Sequence, residues 1–199
     1  MLESITADRA RAAGGLAIVA ALGGILLATA LDPGFSWTGD ALSDLGVREP
    51  SALAFNGGLV VGGLFGVGYA IGLWRLADGR LARLAALLFA GSMIAMAGVG
   101  AFVSGHPLHL PAALGFYLAV TAVFVVDGLD RRDASTGRTT LGLAPIHVLA
   151  WVTWLAGLWP GVSGLALPEL VGAVLFAAWV LALGPLAVVG TVDALDRTA

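Results

Sequence analysis

Six apolar blocks, each about the length of a bilayer-crossing helix, take up most of this chain and leave little sequence for anything else. Read between charged and turn-forming residues, they fall near 12–31, 53–76, 81–103, 110–126, 141–159 and 167–190. A helix rising 1.5 Å per residue needs roughly 20 residues to cross a hydrocarbon core about 30 Å thick. Charged residues make up 12% of the 199, about half the share usual in a soluble domain. Mean hydropathy is +0.95. The expected fold is an all-α integral membrane protein, a six-transmembrane-helix bundle forming one transmembrane domain over residues 1–199.

Arginine placement orients this bundle, because basic residues near span ends stay cytoplasmic. Arg9 and Arg11 precede the first block. Arg75, Arg80 and Arg83 separate the second and third, Arg131, Arg132 and Arg138 separate the fourth and fifth, and Arg197 follows the last. In a six-span arrangement all of these share one side, and only Arg48 falls on the other. Both termini are therefore expected in the cytoplasm, and the protein in the plasma membrane. Arg9, Arg11 and Ala28-Thr29-Ala30 imitate a secretory signal with its cleavage site, but the expectation is that this segment stays as a spanning helix. The chain has no cysteine, which excludes disulfides and thiolate chemistry, and its net charge of -3 implies no nucleic-acid partner.

Glycine is concentrated in the second block, where Gly58, Gly62 and Gly66 repeat every fourth residue. Small residues let helices approach closely in lipid, where no hydrophobic drive pairs them. The stripe predicts either packing inside one bundle or a homo-oligomer seam. Trp37, Trp74 and Trp159 fall near block ends, as interfacial anchors do.

With sides assigned, the remaining polar residues gather on the outer face. The first outer loop holds Asp32, Asp40, Ser43, Asp44, Arg48 and Glu49, the second is the turn Ser104-Gly105-His106-Pro107-Leu108-His109, and the third leads into Pro168-Glu169. Residues 35–46 predict a short interfacial helix with Trp37, Ala41, Leu42 and Leu45 facing lipid and Asp40, Ser43 and Asp44 on the opposite face. Carboxylates at i and i+4 repel, which favours a bound cation or a raised pKa. Alternatively Asp44 pairs with Arg48, Asp40 is hydrated and Gly46 ends the helix.

His106 and His109, three apart with Pro107 at the first helical position, predict two imidazoles on one helix face. With a carboxylate from Asp40, Asp44 or Glu169 they would make a three-ligand zinc site with a position left for water. The alternative is histidines bonded to carbonyls or headgroups. Glu169 suits the positive end of its helix, and inward it would pair with a histidine or a cationic group. His147, two residues after Pro145, is the one histidine inside a span and reads as a hydrogen-bonded packing residue. No phosphate-binding glycine loop, nucleophile elbow or dinucleotide fingerprint is present.

The six blocks, Ser43-Asp44-Leu45-Gly46 after the first, the His106/His109 turn before the fourth and Pro168-Glu169 opening the sixth together resemble the archaeal and bacterial membrane proteins of domain-of-unknown-function family 998. That family is related to the eukaryotic Frag/DRAM group. The resemblance covers nearly the whole chain and highlights Ser43, Asp44, His109 and Glu169 without naming a reaction. Its Frag/DRAM-like relatives imply a lipid-linked or trafficking role. A more distant likeness, to seven-span alkaline-ceramidase-like hydrolases built on Ser, Asp and three His around zinc, fails on span number and on the missing His-x-x-x-His pair.

The leading expectation is a membrane module whose outer end forms a polar pocket from Asp40, Ser43, Asp44, His106, His109 and Glu169, binding a lipid headgroup or another small ligand. Two rivals stand beside it. One is a zinc-dependent hydrolase of outer-leaflet lipid with His106, His109 and Asp44 as ligands. The other is an ion- or proton-coupled transporter with a polar path to His147.

Overall fold

The computed structural model describes residues 2–189, and every regular element among them is helical. Six α-helices run Leu2–Leu31 (α1), Ala52–Leu76 (α2), Arg80–Ala101 (α3), His109–Asp130 (α4), Ser135–Leu155 (α5) and Ala166–Ala178 (α6). A 3-10 turn, Leu42–Val47, stands between α1 and α2, and a π turn, Trp179–Leu183, prolongs α6. Helices close every backbone hydrogen bond within one segment, which is what a lipid solvent demands.

Five helical stretches are long and apolar enough to cross a membrane: Thr6–Leu31, Ala52–Leu76, Arg80–Ala101, His109–Asp130 and Ala166–Leu183. The helix over the expected fifth span is outside this group. It begins at Ser135, before the expected 141, so its first turns take in the polar run from Ser135 through Thr140. The expected last span, 167–190, also differs. Its α-helix stops at Ala178, the π turn follows, and Gly184-Pro185 ends it because proline supplies no N–H to continue. Residue 190 and Arg197 lie outside the described residues.

α1 packs on α2, α2 on α3, α3 on α4 and α4 on α5, while α6 closes against α4 and α5. Each connection reverses the chain, so the described arginines other than Arg48 lie at one end of the bundle. The α1–α2 loop, the His106 turn and the start of α6 lie at the other. Large apolar side chains face outward, among them Leu53, Val19 and Leu118. Lipid matches such a surface, whereas in water it would aggregate.

α2 is central because its glycines admit neighbours on two sides. A Cβ on Gly58 would lie 2.7 Å from the Ala20 carbonyl oxygen and 2.8 Å from Gly24 Cα, so α1 and α2 touch backbone to backbone there. Gly62 faces Ala17 and Ala21 of α1, while Gly63 and Gly66 face Met93 and Ala97 of α3. The three glycines of the stripe thus each meet a neighbouring helix of the same chain. Trp74 lies under the Arg83 guanidinium, 5.8 Å from its ring centroid, and Trp159 Nε1 donates to Thr153 Oγ1 at 2.9 Å.

Candidate functional site

The loop between α1 and α2 turns inward. In the 3-10 turn Leu42, Ser43, Leu45 and Gly46 are buried, Leu45 completely. This corrects the expected interfacial helix with Leu42 and Leu45 toward lipid. Gly46 sits inside the turn and does not end a helix.

The cause is a clasp from the segment before α6. Ser163 and Gly164 donate their N–H groups to the Thr38 carbonyl at 2.8 and 2.9 Å, and Ala166 donates to that of Asp40 at 2.9 Å. A Cβ on Gly164 would lie 2.2 Å from the Asp40 carbonyl oxygen, so only glycine allows this approach. From α6 itself, Glu169 Oε2 accepts the Leu42 N–H at 2.7 Å. From α2, Asn56 Nδ2 donates to the Gly46 carbonyl at 2.8 Å.

The carboxylates of the loop gather around Arg48. Its guanidinium donates to both oxygens of Asp40 at 3.0 and 3.1 Å and to Asp32 at 3.3 Å. Asp44 lies 4.0 Å from it and chiefly accepts the Ala41 N–H, at 2.9 Å, the reach-back of a capping box. Hydrogen bonds from Arg48 and from the Ser36 N–H hold the Asp40 carboxyl below its ordinary 3.8, and those that Arg48 gives to Asp40 and Asp32 push its guanidinium higher still. For Asp40 the expected raised pKa and hydration therefore give way to an ion pair with Arg48.

A carboxyl depressed on folding stabilises the fold above its unfolded pKa, and that contribution is lost as pH falls through the lower folded value. Hydrogen exchange should find the Ser36 amide protected at neutral pH and opening only below about pH 3.8. Asp40→Asn should weaken that protection already at neutral pH. Equal protection in the variant would show that the pair does not hold the loop.

The two histidines part company. His106 is exposed, stacks on Phe102 with ring centroids 4.9 Å apart, and accepts the Leu108 N–H on Nδ1 at 3.1 Å. His109, half-buried, is the first residue of α4, a place expected for Pro107. Its Nδ1 lies 2.6 Å from the Phe102 carbonyl oxygen, an acceptor only, so Nδ1 carries the proton and Nε2 is left open. Among the described residues no three His, Asp or Glu side chains are grouped to hold a metal. The expected zinc ligands His106, His109 and Asp44 do not form one group here: His106 and Asp44 bond within their own loops and His109 to the Phe102 carbonyl.

Inside the bundle, Ser43, His109, Tyr117 and Glu169 line one cavity. Glu169 is only 9% exposed although it is a carboxylate. Those four supply the only polar side chains of the lining, and all four stand toward the loop end. The rest is apolar: Ile18, Ile25, Phe55, Phe89, Met93 and Phe176 are typical, and Gly14 and Val180 mark its far end. Along α1 the lining runs from Gly14 to Ile25, about 16 Å of helix. Counting the open space at its mouth, the volume among these residues is about 870 Å³. Asp40, Asp44 and His106 do not line it.

His147 is buried with every ring nitrogen engaged. Trp151 Nε1 donates to its Nε2 at 3.2 Å, and Nδ1 lies 2.9 Å from Thr121 Oγ1. Indole is only a donor, so Nε2 accepts, Nδ1 carries the proton and the ring is neutral. Thr121 in turn donates to the Tyr117 carbonyl at 3.1 Å. These bonds close on one another, and none leads on toward the arginine-rich end.

One buried cluster escapes a sequence reading that stops the fourth span at 126. α4 continues to Asp130, and Asp127, 2% exposed, forms a two-point pair with Arg131. Trp179 Nε1 donates to Asp127 Oδ2 at 2.8 Å, and Arg131 reaches Thr136 Oγ1 at 3.0 Å. The spacing of an acid and an arginine four apart was the available signal. A second cavity, enclosing about 810 Å³ including open space, lies here between Asp127, Asp130, Arg131, Trp179 and Leu186.

No curated protein and no solved structure matches this chain. One family does, over residues 13–185, a stretch that takes in α1 from residue 13 onward, the other five α-helices, the clasped loop and the cavity. By that match the chain belongs to the family described as protein of unknown function (DUF998), and its run of apolar helices makes it a multi-pass membrane protein.

Proposed function

We propose that this protein spans the plasma membrane six times with both termini cytoplasmic, as one transmembrane domain, and that the cavity beneath its outer loop binds a membrane lipid or similar amphiphile. The observation that carries this reading is the polarity gradient of the cavity. Its four polar side chains stand at one end and an apolar channel runs from them toward the middle of the bundle. An amphiphile matches that pattern, since its tail gains by leaving polar surroundings while its head finds hydrogen-bond partners. α6 meets α1 chiefly through the π turn Trp179–Leu183. The half-buried Ile18 and Leu22 of α1 and Ala173 of α6 flank the cavity, which favours entry from the bilayer between these helices. Asp40, Asp44 and Arg48 then serve to hold the loop as a roof, with His106 outside it.

Native mass spectrometry of the purified chain should find co-purifying lipid that is reduced or lost in Ala173→Phe, which fills the cavity from the α6 side. Equal lipid in a folded Ala173→Phe protein would refute binding in this cavity. The topology has its own test, made clean by the absence of cysteine. An impermeant maleimide applied to intact cells should label Thr38→Cys and Pro107→Cys but neither Asp78→Cys nor Asp133→Cys.

A further inference from the structure

We infer that the head group held at the outer end of the cavity is a hydrogen-bond donor, a hydroxyl or an amine on a long alkyl chain, in preference to a phosphate or carboxylate. This rests on the lipid-binding reading above and adds the chemistry of the ligand to it.

The polar end of the cavity is short of donors. Glu169 is more than nine-tenths buried. Its Oε2 is taken by the Leu42 N–H, while Oε1 has no protein partner. His109 gives its Nδ1 proton to the Phe102 carbonyl, so a lone pair on Nε2 remains. Tyr117 lends its hydroxyl proton to the Glu169 carbonyl, at 3.3 Å. Ser43 Oγ, also in the lining, has no hydrogen-bond partner among the described residues and is free to donate or accept. The unfilled positions are therefore two acceptors and one hydroxyl, and a ligand completes them by donating.

An anionic head would meet the opposite of what it needs. Among the described residues no arginine lines the cavity. Arg48, the single arginine at this end among the described residues, is held by Asp40 and Asp32 in the loop. The amide-rich start of α6 could attract an anion, but Glu169 already stands in that first turn. A phosphate or carboxylate would be brought beside a buried carboxylate with no cation between them, and such a group needs pairing when it leaves water.

The test compares three probes of equal chain length on the full-length protein at pH 8: oleyl alcohol, oleylamine and oleate, titrated by native mass spectrometry. The alcohol and the amine should each bind about tenfold or more tighter than oleate, the scale of one hydrogen bond to a charged group. An amine that outranks the alcohol identifies ion pairing with Glu169, and equal ranking identifies plain hydrogen bonding; both support a donor head. In Glu169→Gln the amine should lose most of its lead over oleate. If that variant does not fold, the ranking on the unaltered protein decides alone. Oleate binding as tightly as the others, or tighter, overturns the inference while leaving the cavity a lipid site. Failure of all three probes to bind overturns the lipid-binding reading itself.

Discussion

Arg131→Ala should destabilise the bundle by about 3–5 kcal/mol, the range for stripping one partner from a buried ion pair. The size follows from which partner is left behind. Asp127 is 2% exposed and sits in the wall between α4 and the π turn, with Trp179 Nε1 as its one other hydrogen-bond donor. Without the guanidinium its charge is stranded in an apolar setting. The same arginine also reaches Thr136 and Thr140, so its loss loosens α5 from α4 as well. The reciprocal change, Asp127→Asn, should cost less. The Arg131 side chain is 20% exposed, and a long cationic side chain near a span end can extend to water. Replacing both, Asp127→Leu with Arg131→Leu, should recover much of the loss, because apolar residues can substitute for a buried pair once neither charge is abandoned. Equilibrium unfolding in mixed micelles, followed by circular dichroism, measures all three. If the two single variants lost equal amounts and the double variant lost their sum, the pair would not be acting as a coupled unit.

How much of this was legible in the chain depends on which physical quantity each feature obeys. The helices at α1 to α4 follow from hydropathy, because crossing length is a bulk requirement that a block of apolar residues meets whatever its order. The fifth is harder, since Thr136 and Thr140 begin a helix whose polar start is buried against Arg131 and so breaks the link between polarity and exposure. For the same reason Asp127 looked like the edge of a span when it is inside one. The inward turn of Leu42 and Leu45 could not be read at all. In a soluble protein an apolar side chain on an amphipathic turn points to the core, but beside a membrane, lipid and core are equally apolar, and periodicity does not choose between them. Of the six residues expected in the pocket, Ser43, His109 and Glu169 meet around one cavity, whereas Asp40, Asp44 and His106 do not. The separating feature is hydrogen bonding over long sequence distance, such as Leu42 to Glu169, and the loop contact allowed by Gly164, neither of which leaves a local pattern.

Neighbouring glycines of α2 should respond to alanine with opposite sign, and the contrast isolates backbone contact from helix propensity. At Gly57 a Cβ would meet nothing within 4 Å. Gly57→Ala should therefore stabilise, by about 0.5–1 kcal/mol, since glycine loses more backbone freedom than alanine on entering a helix. At Gly58 the same Cβ would fall 2.7 Å from the Ala20 carbonyl oxygen and 2.8 Å from Gly24 Cα. Both obstacles are backbone, which no rotamer change can move aside. The remaining escape is to push α1 and α2 apart, giving up dispersion contact along their length, and overpacking of this kind costs about 1–3 kcal/mol. The same reasoning separates Gly23, with open space around it, from Gly24, whose Cβ would lie 2.7 Å from the Ala54 carbonyl oxygen. Because Gly24 and Gly58 press on each other, changing both to alanine should cost less than the sum of the two: once the helices have parted for one methyl, the second enters space already opened. Unfolding of the four single variants and the Gly24→Ala/Gly58→Ala pair under one detergent condition would reveal this pattern. A uniform gain across all four positions would mean that α1 and α2 do not meet at these glycines. The cavity wall that α1 contributes from Gly14 to Ile25 would then have no fixed partner on the α2 side.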